Sequence, residues 1–592
     1  MRIADVSVKL FLHNQKAWRR EFRSRDDLID VRVAVLAGST ANEVMDFIEL
    51  LLLDQGIRPV FYLSDYDKYF EEAVLDPAKL IAFRPNIVYI HTSSHNIQGT
   101  LPLEGSDADL NAHIAAESGR FASIWSSLDE KMESMIIQNN FELPPFRLLG
   151  NFDAVSPAGR VRFINSLNDR FAHEASTRRK LFLNDLHAIA ARIGCKQFHD
   201  ARRWFSYKIF TTPEASLAIA KSVAAIISGI YGRSRKCLVL DLDNTLWGGI
   251  IGDDGPDKIK IGRDTALGEA YSAFQEYCLQ LRNRGVLLAA CSKNSEQVAR
   301  QGFEHPDSIL QFHHFSSFKA NWEPKHENIK KIADELNIGL DSLVFVDDNP
   351  AERELVSAQL PMVAVPDVGS EVTDFISALE EGHYFEPIGL SKEDLSRASQ
   401  YESNAQRAIL QSKFESYDAY LESLAMTGEI APFKQIYLER ITQLVNKTNQ
   451  FNLTARRYTI AEIERIASDP AYITLYGRLA DKFGDNGLVS VIIALKNRHQ
   501  LHIDLWLMSC RVLKRGMELA MLDSLVAECR QHGITEIYGY YMATGKNMLV
   551  AEHYACLGFE HAGESDRGSL WKLRLPEKYV TRNKHIKELV NG

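Results

Sequence analysis

The sequence is poor in the residues that mark several function classes. Seven cysteines, at 195, 237, 278, 291, 510, 529 and 556, are scattered through 592 residues with no C-x-x-C pair. That scatter argues against a disulfide framework or a zinc site and points to reduced thiols in a cytoplasm. Positive charge is also short: 68 Lys and Arg face 78 Asp and Glu, a formal net charge of −10. Nucleic-acid binders usually show the opposite balance, so no nucleic acid is expected as partner. No apolar run reaches the ~18 residues of a membrane span, and none is expected. The opening MRIADVSVKLFLHNQKAWRR lacks the basic, apolar and small-residue order of a secretory leader. Internal repeats and low-complexity tracts are missing too.

What is there is ordinary globular composition, 45% apolar and 25% charged. The chain is too long for one core, and three domains are the natural expectation. VRVAVLA (31–37) reads as a buried strand ending in Gly38-Ser39-Thr40, and FRPNIVYIHTS (83–93) as a second strand in a parallel α/β region. After the basic break GRSRK, apolar strands recur at KCLVLDLD, VLLAACS, LVFVDD and MVAVPD, with helices between them. Residues 380–425 are charged and helical, as a connector would be. Beyond about 430, LVSVIIALK and LHIDLWLM predict an antiparallel pair, followed by a helix over 515–531, the strand EIYGYYM, a helix over 547–556 and the strand SLWKLRL. The expected fold is therefore α/β and multidomain, with boundaries at 1–231, 232–395 and 396–592.

The strand at Cys237–Leu240 runs into Asp241, Leu242 and Asp243. Residues two apart on a strand point the same way, and open parallel sheets bind ligands beyond their carboxyl ends. VLLAACS ends in Ser292 and LVFVDD in Asp347 and Asp348, with Lys319 and Lys325 between them. Four acids gathered at one place repel, and a countercharge must sit among them. Mg²⁺ suits that set, with Asp241, Asp243, Asp347 and Asp348 as candidate ligands. Asp241 would attack phosphorus as nucleophile. Asp243 would protonate the leaving oxygen and then activate water. Ser292 and Lys325 would hold phosphate oxygens. Asn244, Thr245 and Asn294, beside these residues, are candidate substrate contacts. A polar turn explains DLDNT alone, but not several strand ends of this kind in order.

DLDNTL, AACSKN, Lys325 and FVDDNP resemble the four motifs of the haloacid dehalogenase superfamily. The longer stretches LDLDNTLWGGIIGDDG, WEPKHENIKKIADELNIGLDSLVFVDDNPAERELV and LP-VAVP resemble its FkbH-like, class IIIC members over roughly residues 232–395. The gaps from Thr245 to Ser292 and on to Lys325 hold no large cap, so the resemblance implies a capless Rossmann-like sheet with an open pocket. It also implies an enzyme that dephosphorylates a glyceryl phosphate donor such as 1,3-bisphosphoglycerate and loads the acyl group onto an acyl carrier protein through a cysteine thioester. Cys291 is the best-placed thiol, although strand alternation turns it away from Ser292.

VAVLAGST resembles the first block of SGNH hydrolases, with Ser39 in the nucleophile's place. Asn151, in LLGNFD, is the candidate oxyanion-hole residue. The late Asp-x-x-His of that family is missing: His199 precedes Asp200, and no histidine follows at that spacing. Without a base Ser39 has no activation, so a structural or docking module is expected. NMLVAEHYACLGFE resembles the closing motif of GNAT acyltransferases, with Tyr554 as the acid for a leaving thiolate. RVLKRG approximates the family's R-x-x-G-x-G turn. Arg511, Lys514, Arg515 and Gly516 would then hold the pyrophosphate of acetyl-CoA or phosphopantetheine at a helix N-terminus. The asparagine-rich NKTNQFN reads as a capped turn.

Together these readings describe a cytoplasmic, Mg²⁺-dependent phosphatase/acyltransferase taking a phosphorylated small-molecule donor and a carrier protein's phosphopantetheine arm. The competing reading is a phosphatase fused to a GNAT N-acyltransferase acting on a sugar or amino substrate. A non-catalytic docking protein is a third.

Overall fold

The computed structural model describes residues 7–25, 28–395, 397–411 and 413–589. Its contacts divide the chain between Ile230 and Tyr231 into two compact units.

In the first unit, strands β1 (Ile29–Ala37), β2 (Ile57–Leu63), β3 (Ile87–His91), β4 (Met135–Asn139) and β5 (Leu181–Asn184) form a parallel sheet in the order β2-β1-β3-β4-β5. β2 is absent from the sequence reading. Pro59 and a half-exposed face hide its pattern, and as an edge strand it tolerates the missing N–H. Helix Pro213–Ile230 is long and apolar enough to cross a membrane by length and composition, and 72% of it is buried within the protein. Its Ala, Ile and Val residues pack as a core helix.

The second unit holds two sheets. The first is fully parallel, in the order β8-β7-β6-β9, from β6 (Cys237–Leu240), β7 (Leu287–Ser292), β8 (Phe315–Ala320) and β9 (Leu343–Val346). All four β6 residues are buried, as a strand covered on both faces requires. Leu238, Leu240 and Ala290 pack on one face of this sheet, and Val239, Ala289 and Cys291 on the other. MVAVPD, expected as a strand, makes a single bridge between Ala364 and Val344 instead. The loops between β6 and β8 carry helices but no inserted sheet.

The second sheet is mixed, with eight strands: β10 (Met426–Ala431), β11 (Tyr472–Asp481), β12 (Gly484–Asn497), β13 (Gln500–Met508), β14 (Glu536–Tyr541), β15 (Glu560–Ser565), β16 (Gly568–Arg574) and β17 (Ile586–Glu588). Their order is β15-β16-β14-β13-β12-β11-β10-β17. β12 and β13 pair antiparallel, while β13 and β14 pair parallel over only Gln500–Ile503 and Glu536–Gly539. Beyond that they part, and the chain's own Phe451–Thr454 fills the gap. Leu453 N–H donates to the Trp506 carbonyl, and Met508 and Met542 N–H donate to the Phe451 and Leu453 carbonyls, at 2.8–3.1 Å. The NKTNQFN turn is thus the lead-in to a segment inserted between two parallel strands. The connector is not loose either. Arg407 from helix Arg397–Gln411 forms a two-pronged pair with Asp481, both buried.

Candidate active site

The acidic site forms where three parallel strands end at one level. Leu240 is in register with Ala290 and Val346, so Asp241 and Asp347 leave the sheet side by side, with Ser292 ending the neighbouring strand. Asn244 takes a left-handed φ of 55°, a conformation asparagine tolerates, and so turns the chain sharply after Asp243. After Asp348, Asn349 caps helix Pro350–Gln359 by accepting from Ala351 N–H at 3.0 Å, and Pro350 opens its first turn. Lys325 is the first residue of helix Lys325–Leu336. Its ammonium lies 3.0 Å from Asp241 Oδ1 and 2.5 Å from Asp347 Oδ2.

One carboxylate oxygen from each of Asp241, Asp347 and Asp348 lies within 4.8 Å of the others. Burial, followed by repulsion from Asp241, pushes the Asp347 carboxyl up to about 6 and raises Asp348. Burial disfavours the Lys325 charge, but Asp241 and Asp347 outweigh it and hold the ammonium well above an ordinary lysine. Three acids against one ammonium leave about two negative charges uncompensated. These oxygen donors fit a hard divalent cation such as Mg²⁺.

Asp243 does not belong to that cluster, which corrects its expected place as a metal ligand. Its carboxylate accepts from Trp247 Nε1 at 2.9 Å, Ile251 N–H at 3.0 Å and Asn294 Nδ2 at 3.1 Å. Burial raises its pKa first, and the Ile251 and Trp247 donors pull it back. A partly raised, well-oriented carboxyl is suited to proton transfer.

The neighbouring polar residues are supports rather than free substrate contacts. Asn244 Oδ1 accepts from Gly249 N–H. Thr245 Oγ1 donates to Asp348 Oδ1 at 3.4 Å and accepts from Asp348 N–H at 3.3 Å. Asn294 donates to Asp243 and accepts from Ser295 N–H. Ser292 is nearly enclosed, and Lys319 pairs with Glu335 at 2.7 Å. Cys291 is overturned as the reactive thiol. It has no exposed surface, packs on the sheet face opposite Ala290, and donates to the Lys325 carbonyl at 3.6 Å. Burial also pushes its thiol far up, away from the reactive thiolate.

Arg353 escaped the sequence reading. Its guanidinium donates to the Asp347 and Asp348 carbonyls at 2.8 Å each, to the Gly369 carbonyl at 3.0 Å and to Asp367 at 2.8 Å. It clamps the backbone that presents both acids. The only signal was an arginine one helical turn into PAERELV.

In the first unit, Ser39 is buried and its hydroxyl meets no partner among the described residues. The asparagine beside its turn is Asn96, whose Nδ2 donates to the Gly38 carbonyl at 2.8 Å. Asn151 is exposed on the short helix Gly150–Ala154, which corrects its expected oxyanion role.

In the mixed sheet, Tyr554 is wholly buried, its ring packed against Phe559, and burial drives its hydroxyl's pKa up. It has no route to a thiolate, so its role as acid is withdrawn. Gly516, at φ 82°, caps helix Met517–Gln531, but Glu518 places its carboxylate on Lys514 N–H at 3.2 Å. That internal anion takes the position expected for a phosphate. Arg515 is likewise committed, to Asp481 at 3.1 Å and Asn404 at 2.9 Å. Lys514 is exposed, and Arg511 donates to Ser509 Oγ at 3.3 Å.

Among known proteins, no family model and no curated sequence matches the chain. Solved structures do. The N-terminal part of a Bacteroides fragilis protein, containing a phosphatase domain and complexed with Mg, is 28% identical with a TM-score of 0.58, over 63% of this chain and 99% of that one. The Escherichia coli ribosomal-protein-S18-alanine N-acetyltransferase is 13% identical with a TM-score of 0.20, over 27% of this chain and 99% of that one. PaiA N-acetyltransferase from Thermoplasma acidophilum, in complex with coenzyme A, is 15% identical with a TM-score of 0.20, over 25% of this chain and 99% of that one. Alignments as loose as the last two carry no information about chemistry.

Proposed function

We propose that this chain is a Mg²⁺-dependent phosphoryl-transfer enzyme. Its Asp241 centre dephosphorylates a phosphorylated acyl donor of the 1,3-bisphosphoglycerate kind, and the acyl group is delivered to the pantetheine thiol of an acyl carrier protein. One observation carries the phosphoryl reading: Asp241, Asp347 and Asp348 converge around a point that Lys325 alone leaves negative. The likeness to a Mg-complexed phosphatase domain supports it. The donor and the carrier rest on the FkbH-like wording of residues 232–395.

Bound Mg²⁺ would supply charge neutralisation between the carboxylates and the phosphate oxygens. Asp241 attacks the phosphorus of the donor's ester phosphate, the bond from phosphorus to the ester oxygen breaks, and Asp243 gives that oxygen its proton, so the acyl phosphate stays intact for the transfer. Asp243 then takes a proton from water, whose oxygen attacks phosphorus and releases inorganic phosphate with the Asp241 carboxylate restored. Lys325, 3.0 Å from its Oδ1, holds the Asp241 carboxylate in place. Acyl delivery needs no thiol from this protein. The carrier's thiolate attacks the acyl carbon, the C–S bond forms, the C–O bond to phosphate breaks, and phosphate leaves.

The test supplies 1,3-bisphosphoglycerate, Mg²⁺ and a pantetheinylated carrier, and weighs the carrier by mass spectrometry. A glyceryl adduct together with release of the ester phosphate is expected, whereas Asp241→Asn should leave the phosphorylated acyl group on the carrier and the ester phosphate unreleased. Phosphate release without an adduct assigns the chain to the phosphatase and N-acyltransferase reading. Full phosphate release by Asp241→Asn overturns the nucleophile.

A further inference from the structure

Two segments of the first unit turn large apolar side chains outward. One follows β4 and carries Phe146, Leu148, Phe152 and Val155; the other is helix Ala201–Tyr207, with Phe205 and Tyr207. All six are 62–78% exposed. A single exposed apolar residue is ordinary, but a group on neighbouring segments marks an interaction surface.

The segments are held, and held at one place. His199, which leads into the helix, donates from Nε2 to the Leu143 carbonyl at 3.0 Å, at the start of the other segment. The Asp153 carboxylate accepts from Leu149 N–H at 3.4 Å and Val161 N–H at 2.7 Å, which fixes the turn between them. Arg160 donates to the Ser94 carbonyl at 2.7 Å, and the His95 ring stacks on Trp204 with centroids 3.9 Å apart. Ser94 and His95 follow β3, and Leu143 follows β4. Both segments therefore stand beyond the carboxyl ends of the first sheet, where parallel sheets bind their ligands.

The charge of these segments opposes that of the chain. Residues 143–162 and 195–208 contain seven Lys and Arg against two acids, in a protein of net charge −10. Asp153 is buried in its turn, and Asp200 caps the helix by accepting from Arg202 and Arg203 N–H. Arg162 and Arg203 are paired with Asp107 and Glu43. Arg147, Lys196 and Arg202 are exposed and have no ion-pair partner among the described residues.

We propose that this surface docks an acidic protein whose contact face sets apolar side chains among carboxylates, and that the partner is the acyl carrier protein of the function proposed above, on which this inference rests. Aromatic side chains beside arginines are the composition of protein–protein contact centres. The cations steer an acidic partner and fix its orientation. A second copy of this chain is the wrong occupant, because a two-fold contact sets the same basic face against itself.

The test measures binding of an acidic, pantetheinylated acyl carrier protein to the full chain by calorimetry. Binding is expected, weaker by about tenfold or more when salt rises from roughly 50 to 500 mM. Phe146→Ser and Arg147→Glu should each weaken it about tenfold or more, with circular dichroism unchanged and phosphate release from 1,3-bisphosphoglycerate retained. Asp241→Asn should bind the carrier as the unmodified protein does. Equal carrier affinity in both surface variants overturns the surface and leaves the proposed function standing. No binding at millimolar carrier also overturns it; a glyceryl adduct still formed under those conditions spares the function, and its absence removes the carrier from both. Sedimentation with vesicles of phosphatidylglycerol and phosphatidylcholine that the two variants abolish, without carrier binding, assigns the surface to a membrane and overturns the proposal. A dimer in ultracentrifugation that the variants dissociate does the same in favour of a second copy.

Discussion

The Lys325 ammonium and the Asp347 carboxylate form a 2.5 Å ion pair in which the acid is wholly buried and the lysine 3% exposed. The same ammonium reaches Asp241. One cation therefore restrains two acids that repel each other, with Asp348 close by. The pair belongs to the folding of the site as much as to its chemistry.

Lys325→Met leaves three acids facing one another. Breaking a buried pair by removing one partner costs about 3–5 kcal/mol. Urea unfolding should report a loss of that size, with phosphatase activity down by two orders of magnitude or more. Millimolar Mg²⁺ should return part of the stability, since it neutralises the same acids. It should also raise the Tm of the unmodified protein and fail to do so in Asp347→Asn. A Tm indifferent to Mg²⁺ in the unmodified protein would sink the metal assignment.

How far the sequence foretells this arrangement depends on distance along the chain. Asp241, Ser292 and Asp347 were legible because each follows an apolar strand, and parallel sheets gather such ends. Alternation likewise turns Cys291 away from Ser292. Asp243 was misjudged because strand geometry stops before it. The left-handed Asn244 swings the chain into a turn, and Trp247 and Asn294 capture the carboxylate. Arg515 and the helix start at Gly516 matched a phosphate-binding motif locally. Their partners Asp481, Asn404 and Glu518 are set by tertiary packing, or sit in a helix turn that no motif describes. The wedge of Phe451–Thr454 between β13 and β14 is a long-range pairing with no local signature.

Trp247→Phe tests Asp243 as the proton-transfer group. The indole Nε1 donates to the charged form of Asp243, and losing such a donor favours the neutral form. A hydrogen bond to a charged group is worth about 1.5–3 kcal/mol, so the basic limb of the pH–rate profile, set by loss of the Asp243 proton, should move up by about one pH unit. A purely structural role for the indole would lower the rate at every pH and leave the limb where it was.

Glu142 makes the first unit's stability sensitive to pH. Its carboxylate is wholly buried and accepts from Ser94 N–H and Ser94 Oγ, at 2.7–3.2 Å. Burial pushes the carboxyl up to about 7 from an ordinary 4.5, against the pull of those donors and of Arg160. The folded state thus binds this proton more tightly than the unfolded chain does. Its contribution is fully present below about pH 4.5 and is lost as pH rises through about 7. At about 1.4 kcal/mol per pKa unit the loss is roughly 3 kcal/mol. Hydrogen exchange of the amides in β3 and β4 should therefore quicken, beyond the intrinsic base-catalysed rise, between pH 5 and pH 8. Glu142→Gln keeps a neutral group of the same shape and should abolish that excess while slowing exchange at pH 8. An unchanged excess in the variant would assign the pH dependence to a group other than Glu142 and overturn this prediction.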